Sequence, residues 1–180
     1  MASQRKAGAL LGYVNVVAKN LVNIIYVPLL LHFIGQADYG VFQMTNSVVF
    51  ALTLLSAGFY GAYVRFYMRE KTIDNEAGIR RLNGMFLLVY AIVSLLSLIV
   101  GMLLTINVQL FFSGGLTSSE LILARKLMGI MTVNIAVQFL STPFNSYIVA
   151  HEKFVYQQSR QLLTTLAQPF LAAILLWLGM

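Results

Sequence analysis

Long apolar blocks separated by short polar breaks are the feature that most constrains this chain. Each block holds roughly 20 to 30 residues, enough to cross the ~30 Å hydrocarbon core of a bilayer at about 1.5 Å per residue. In lipid, a single helix can satisfy the backbone hydrogen bonds of its own segment. The expected fold class is an all-α integral membrane protein with five transmembrane helices, at about 9–34, 40–64, 82–105, 119–149 and 158–179.

Composition excludes several other classes of protein. Of the 180 residues, 59% are hydrophobic and only 10% are charged, whereas soluble domains average about 25% charged residues. No loop is long enough for a soluble catalytic domain, and the absence of cysteine removes disulfides and thiolate metal sites. We therefore expect no enzymatic activity, no cofactor, no metal site and no nucleic-acid partner.

Turn and capping residues mark several helix ends. Gly35 and the turn-forming residues after it are expected to close the first helix, and a break at 113–115 precedes the fourth. Thr117 and Glu120 have the spacing of a capping box for that fourth helix. Asp74 is expected to cap a short amphipathic turn that leads into the third helix.

The basic residues predict the orientation of the chain. Positively charged residues are retained on the cytoplasmic side of a membrane, and two loops, at about 65–81 and 150–157, are expected to lie there. The N-terminus is then cytoplasmic, in the cell (cytoplasmic) membrane. Nine of the twelve cations fall on this side: Arg5, Lys6, Arg65, Arg69, Lys71, Arg80, Arg81, Lys153 and Arg160. Among them, Arg65, Arg69, Arg80 and Arg81 are interpreted as anchors at the membrane surface.

Polar residues within the predicted spans identify a candidate cavity. Such side chains normally face a bundle interior or a water-filled space, because lipid does not solvate them. Of these residues, Lys19 costs the most free energy to place in lipid, since it lies about 15 Å into its helix and no carboxylate is expected at that depth. The cavity candidates recur at helical spacing on three of the predicted helices: Asn15, Lys19, Asn23, Gln43, Asn46, Asn134 and Gln138.

The third predicted helix has a different pattern. Its small or polar interior positions, Tyr90, Ser94, Ser97 and Gly101, form a narrow seam suited to close helix packing. The rest of that helix is apolar, so we expect it to lie outside the polar interior, against lipid. Helices one, four and five each contain a proline that favours a kink, at Pro28, Pro143 and Pro169.

One stretch resembles a known family. The segment IGQADYGVFQMTNSVVFALTLLSAGFYGAYVRFYMR, from Ile34 to Arg69, is similar to the N-terminal region of polysaccharide-export flippases. That family has an LGxxxYG turn, a YGxYxL-type helix and a GLxxAxxRF ending, and this sequence matches them at Gly35, Tyr39, Gly40, Gly58, Ala62, Arg65 and Phe66. It departs from the family at Ser56, where many relatives carry an acid.

The resemblance implies a member of the multidrug, oligosaccharidyl-lipid and polysaccharide superfamily, to which the multidrug (MATE) antiporters also belong. Such proteins have 12 to 14 helices in two lobes and move a polyprenyl-pyrophosphate-linked oligosaccharide across the membrane by alternating access. Residues 1–180 would then be one incomplete N-terminal lobe. Its implied partners are the lipid-linked oligosaccharide, membrane lipid, the missing C-terminal helices of the full-length protein, and the polysaccharide polymerase and export machinery.

Three other functions stay open at this point. A drug or cation antiporter of the same fold would need an acid inside the membrane, and none is predicted in these five helices. A membrane glycosyltransferase or polymerase would need clustered acids, a histidine base or a metal site, which the loops do not offer. A non-transporting scaffold would use the polar residues only to pack its helices.

Overall fold

The computed structural model describes residues 2–56, 59–112 and 115–177, and within these ranges all regular secondary structure is helical. Side chains are described for residues 6–54, 61–110, 112 and 115–174. The elements in chain order are α1 (Ala2–Ala51), a 3-10 segment (Leu52–Ser56), α2 (Phe59–Thr72), α3 (Glu76–Ile106), α4 (Val108–Phe112), α5 (Ser118–Ala150) and α6 (Phe154–Trp177). Gly58 of the family motif, the 113–114 part of the predicted break and the predicted helix end at 179 lie outside the described residues.

Three of the helical stretches in the described part of the chain are long and apolar enough to cross a membrane. They are Lys6–Leu54, Glu76–Ile106 and Ser118–Ala150. This confirms the coarse prediction of a helical protein with membrane-spanning character. The second predicted helix, 40–64, differs, because regular α-helix ends at Ala51 and α2 follows the 3-10 segment. Hydropathy does not register a change of helix type inside one apolar run, so the 3-10 segment could not be predicted.

The α1 backbone is interrupted at Gly35. This residue has φ 81° and ψ 165°, values outside the helical region, while helix continues on both sides. Residues with a Cβ rarely adopt this positive φ, whereas glycine does so at little cost. The predicted break at Gly35 is therefore confirmed. The residues after it, predicted as a turn, are helical instead, and this places Asp38 within α1.

Two predicted caps have different outcomes. The Thr117 backbone N–H donates to a Glu120 carboxylate oxygen at 2.7 Å, and the Glu120 N–H donates back to the Thr117 hydroxyl at 3.4 Å. This reciprocal pair is the predicted capping box. The prediction for Asp74 was wrong, because the cap of α3 is Asn75, whose side chain accepts from the Gly78 N–H. Asp74 has φ 50° and belongs to the turn before the helix.

The chain divides into two compact units. One consists of Met1–Tyr39 with Ile148–Met180, and the other of Gly40–Tyr147. In the first unit, α1 and α6 approach closely where Gly8 lies against Phe154. In the second, α3 packs against α5. The single lobe predicted over 1–180 stays a prediction.

The contact between α3 and α5 is built on the predicted seam. Tyr90, Ser94, Ser97 and Gly101 are all buried. The Ser94 hydroxyl donates to the Ala136 carbonyl oxygen at 2.7 Å, and the Thr132 side chain lies directly against Gly101. These contacts confirm that the seam serves close helix packing.

The three prolines lie inside continuous helices. Pro28 is in α1, Pro143 in α5 and Pro169 in α6. In α1 the non-helical dihedral angles occur at Gly35 rather than at Pro28. Proline-induced kinks in these helices stay a prediction.

Candidate functional site

In the unit that pairs α1 with α6, the predicted cavity residues of α1 separate by burial. Asn15 is only 6% exposed, and its side-chain amide donates to the Gln158 carbonyl oxygen at 2.9 Å and to the Gln158 Oε1 at 2.8 Å. Lys19 and Asn23, one and two turns further along, are exposed. Asn15 thus joins two helices, while Lys19 and Asn23 lie on an open part of the α1 surface.

In the other unit, the predicted cavity residues lie on exposed helix surfaces. Gln43 and Asn46 are exposed on the second part of α1. Asn134 and Gln138 are exposed on α5, where the Gln138 amide donates to the Asn134 Oδ1 at 2.8 Å. The buried face of α5 is a different one, formed by Ala124, Met128, Thr132, Ile135, Ala136, Phe139 and Ser146. A cavity shared by all the predicted residues stays a prediction.

The second unit also contains a pocket that the sequence analysis did not identify. Its volume is about 370 Å³, within the range usual for small-molecule sites. Residues from α2, α3 and α5 line it: Tyr63, Asn83, Leu87, Pro143, Phe144 and Tyr147. We call this group the aromatic pocket.

Aromatic contacts fix the α2 side of the pocket. The Tyr63 ring meets Phe86 edge to face at 5.1 Å between centroids, and it stacks on Tyr67 at 5.9 Å. Tyr67 in turn meets Tyr147 edge to face at 6.1 Å. Such offset and edge-to-face geometries are the favoured ones for aromatic pairs. The three helices are therefore held together around the pocket by ring packing.

Asn83 supplies the polar group of the pocket. Its Oδ1 accepts a hydrogen bond from the Tyr63 hydroxyl at 2.7 Å. Among the described residues no acceptor faces its Nδ2 group, which carries two N–H donors. Burial raises the pKa of Tyr67 above its usual value, and Tyr147 raises it further.

The four predicted anchors lie on α2 and α3. Arg65, Arg69, Arg80 and Arg81 are all exposed. The Arg65 guanidinium lies 5.5 Å from the centre of the Phe66 ring. Arg80 is 3.9 Å from a Glu76 carboxylate oxygen, a distance and exposure at which an ion pair contributes little. The arginines thus carry positive charge that is largely available to other partners.

The pocket could not have been found from sequence spacing alone. Tyr63 and Tyr67 stand four residues apart, which places them on one helix face, but such a pair more often belongs to an ordinary core. Their partners Asn83 and Tyr147 lie far along the chain, on other helices. The only preceding sign was the proline of α5, Pro143, which was interpreted as a kink.

Among the described residues, no group of histidine, cysteine, aspartate and glutamate side chains is placed to hold a metal ion. The second unit presents amide and guanidinium donors beside apolar and aromatic walls. No protein-family model, no curated protein and no solved structure matches the chain.

Proposed function

We propose that this chain is part of a membrane transporter that flips a polyprenyl-pyrophosphate-linked oligosaccharide across the cytoplasmic membrane, for the synthesis of cell-surface polysaccharide. The proposal includes five spans in an incomplete N-terminal lobe with a cytoplasmic N-terminus. Its support is the ordered set of family-like motifs between Gly35 and Arg69, together with the three helical stretches long and apolar enough to cross a bilayer.

The observation that carries the proposal is the position of Lys19. It lies within the apolar stretch Lys6–Leu54 and is exposed, and among the described residues no carboxylate pairs with it. A lysine within a span costs about 2.5–3.5 kcal/mol on insertion scales, so such residues mark functional sites. An ammonium in a medium of low dielectric constant attracts phosphate strongly and repels cations. Lys19 is therefore suited to a pyrophosphate-linked substrate.

Asn23, in the same unit as Lys19, would extend the site. It is exposed and carries both donors and acceptors, as the hydroxyl groups of a sugar require. Gln43 and Asn46, which are exposed in the other unit, stay cavity candidates of the proposal. Asn15 has a more limited role than the sequence suggested, because its amide nitrogen already donates to Gln158. Its Oδ1 is buried and has no hydrogen-bond partner among the described residues.

The test is transport of lipid-linked oligosaccharide by the protein carrying Lys19→Ala or Lys19→Arg. Lys19→Ala should abolish most activity at an unchanged protein level in the membrane, whereas Lys19→Arg, which keeps the charge, should retain part of it. Lys126→Ala, at another exposed lysine, is the matched control and should transport normally. Full activity of Lys19→Ala would remove this residue from the mechanism and leave the proposal without its main support.

A drug or cation antiporter is the second candidate, and one observation favours it. Asp38 was expected in a turn but is helical, within the apolar stretch Lys6–Leu54 and three residues after the break at Gly35. The stretch of 49 residues is longer than one crossing needs. The antiporter therefore requires that Asp38 lies inside the membrane, where an acid binds protons and cations. Asp38→Asn therefore separates the two functions: an antiporter should lose proton-coupled efflux of cationic drugs, while a flippase should keep oligosaccharide transport.

A further inference from the structure

Basic residues near the start of α3 and residues of the aromatic pocket lie one after the other along this helix. Arg80, Asn83 and Leu87 are spaced three and four residues apart, so they lie on the same face of this helix. Along that face the side chains change from a cation, through an amide whose Nδ2 group bonds no acceptor in the described part of the chain, to an apolar group. A surface with this order matches an amphiphile that has an anionic head and a hydrocarbon chain.

The α2–α3 hairpin places the positive charge on one side of the pocket. The hydrogen bond from Tyr63 to Asn83 joins the two helices at one level, and the segment between these residues forms the connecting end of the hairpin. That segment holds five cations, Arg65, Arg69, Lys71, Arg80 and Arg81, against three acids, Glu70, Asp74 and Glu76. The hairpin end therefore has a net positive charge.

The other side of the pocket is apolar. Leu87 lies one turn beyond Asn83 on α3, and Pro143 and Phe144 face it from α5. Beyond them α3 continues into its most hydrophobic part, with exposed leucine and isoleucine side chains such as Leu88, Ile92 and Leu95. A hydrocarbon chain that entered the pocket would then continue along an apolar surface.

Asn83 supplies a specific hydrogen-bond donor between the basic side and the apolar side of the pocket. Its Nδ2 group faces no acceptor among the described residues, although its Oδ1 is fixed by Tyr63. An amide held in one orientation, one turn from Arg80, can donate to a phosphate or ester oxygen while the guanidinium supplies the charge. Basic pockets between membrane helices are known to take anionic headgroups in this way.

We propose that the aromatic pocket binds an anionic phospholipid of the surrounding bilayer. Arg80 and the Asn83 amide hold the phosphate and ester oxygens, and the first part of an acyl chain lies against Leu87, Pro143 and Phe144. At about 370 Å³, the pocket holds a portion of one chain while the rest follows the α3 surface. The assignment rests on the α2, α3 and α5 contacts alone and is independent of Lys19.

A fluorescence experiment on the full chain tests this site. The single tryptophan, Trp177, is replaced by Phe, and Phe144→Trp places a reporter in the pocket. The matched reporter is Ile130→Trp, at an exposed position on α5 away from the pocket residues, where only ordinary boundary lipid is expected. Both proteins are placed in nanodiscs of phosphatidylcholine with a minor fraction of brominated phosphatidylglycerol. From the quenching, the pocket reporter should show an affinity for the anionic lipid at least about five-fold higher than that of the Ile130→Trp reporter.

A second set of variants tests how lipid binding at the pocket depends on charge. Arg80→Gln should lower the apparent affinity of the pocket reporter for brominated phosphatidylglycerol about five-fold, the value expected for one cation near an anionic lipid surface. Arg125→Gln, at an exposed arginine on α5, should leave it unchanged. If Phe144→Trp disturbs folding, mass spectrometry of phospholipid retained by the otherwise unaltered protein gives the same comparison between the two arginine variants.

Three results would overturn the proposal. Equal quenching at the two reporters would mean that the pocket selects no lipid. An unchanged affinity in Arg80→Gln would remove the headgroup contact. Displacement of phosphatidylglycerol by polyprenyl phosphate at a much lower fraction than by unlabelled phosphatidylglycerol would assign the pocket to a carrier lipid instead.

Discussion

The two units differ in the contacts through which their apolar helices associate. In the second unit, α3 and α5 meet along small residues, with Gly101 directly against Thr132 and Ser94 bonded to the Ala136 backbone. In the first, α1 and α6 are joined by the amide of Asn15, which donates twice to Gln158. One contact depends on close steric fit and the other on hydrogen bonds between long polar side chains.

This comparison separates polar residues that join helices from polar residues that are relevant to function. Lipid is as apolar as leucine, so helices associate through packing and hydrogen bonds rather than through burial from water. Asn15 belongs to such a hydrogen-bonded contact. Lys19, only one turn away, is exposed and does not take part in it. Sequence spacing places both on one face, but the structure buries Asn15 and leaves Lys19 exposed.

The largest effect is expected from Gly101→Ala. A Cβ at this position would overlap the Thr132 side chain, and overpacking of this kind costs about 1–3 kcal/mol. The control is Gly84→Ala on the same helix, where a Cβ would meet nothing and better helix propensity should add about 0.5–1 kcal/mol. Thermal unfolding in detergent, followed by circular dichroism, measures both. A Gly101→Ala protein as stable as Gly84→Ala would show that the α3–α5 contact does not depend on close fit.

A smaller loss is expected from Asn15→Ala. This change removes both hydrogen bonds to Gln158, and interhelical hydrogen bonds in membranes contribute about 0.6 kcal/mol on average, with a maximum near 1.7. We expect a free energy of unfolding lower by about 1 kcal/mol in the same assay. Asn23→Ala, at an exposed amide on the same helix, should change it by less than about 0.5 kcal/mol. Equal effects of the two substitutions would contradict a joining role for Asn15.

The smallest effect is expected from Thr132→Val. The Thr132 hydroxyl is buried without a hydrogen-bond partner among the described residues, so a side chain of the same shape that lacks it should leave stability within about 0.5 kcal/mol or raise it slightly. Ser94→Ala, in which a bonded hydroxyl is lost, should cost about 1 kcal/mol. A clear loss in Thr132→Val would indicate that its hydroxyl is bonded and that the α3–α5 contact is less purely steric than described.

Much of the local structure followed from the sequence. The capping box at Thr117 and Glu120, the backbone break at Gly35 and the α3 seam each depend on residues within a few positions of one another. Interactions of this range can be inferred from spacing because helix geometry fixes the neighbours. The wrong cap, Asp74, also shows the limit of this method. Asp and Asn are similarly good caps, so adjacent candidates cannot be separated by residue type.

For the candidate site too, local spacing could be inferred from the sequence and contacts between helices could not. The polar residues on α1 and α5 were identified from their spacing, but their separation into buried and exposed groups was not. Asn15 and Lys19 differ only because α6 presents Gln158 to one of them. The aromatic pocket was missed altogether, since Tyr63, Asn83 and Tyr147 belong to three different helices.

Helical structure, and helices long and apolar enough to cross a membrane, could be inferred from the amino-acid sequence, because lipid leaves a segment of this composition few other ways to satisfy its backbone. The sequence also located the small residues that allow close approach of α3. Which helix each face meets followed from tertiary packing alone. The same packing places Asn83, whose Nδ2 group bonds no acceptor among the described residues, in the aromatic pocket and one turn from Arg80. That outcome depends on contacts between residues distant in the chain, which no local pattern encodes.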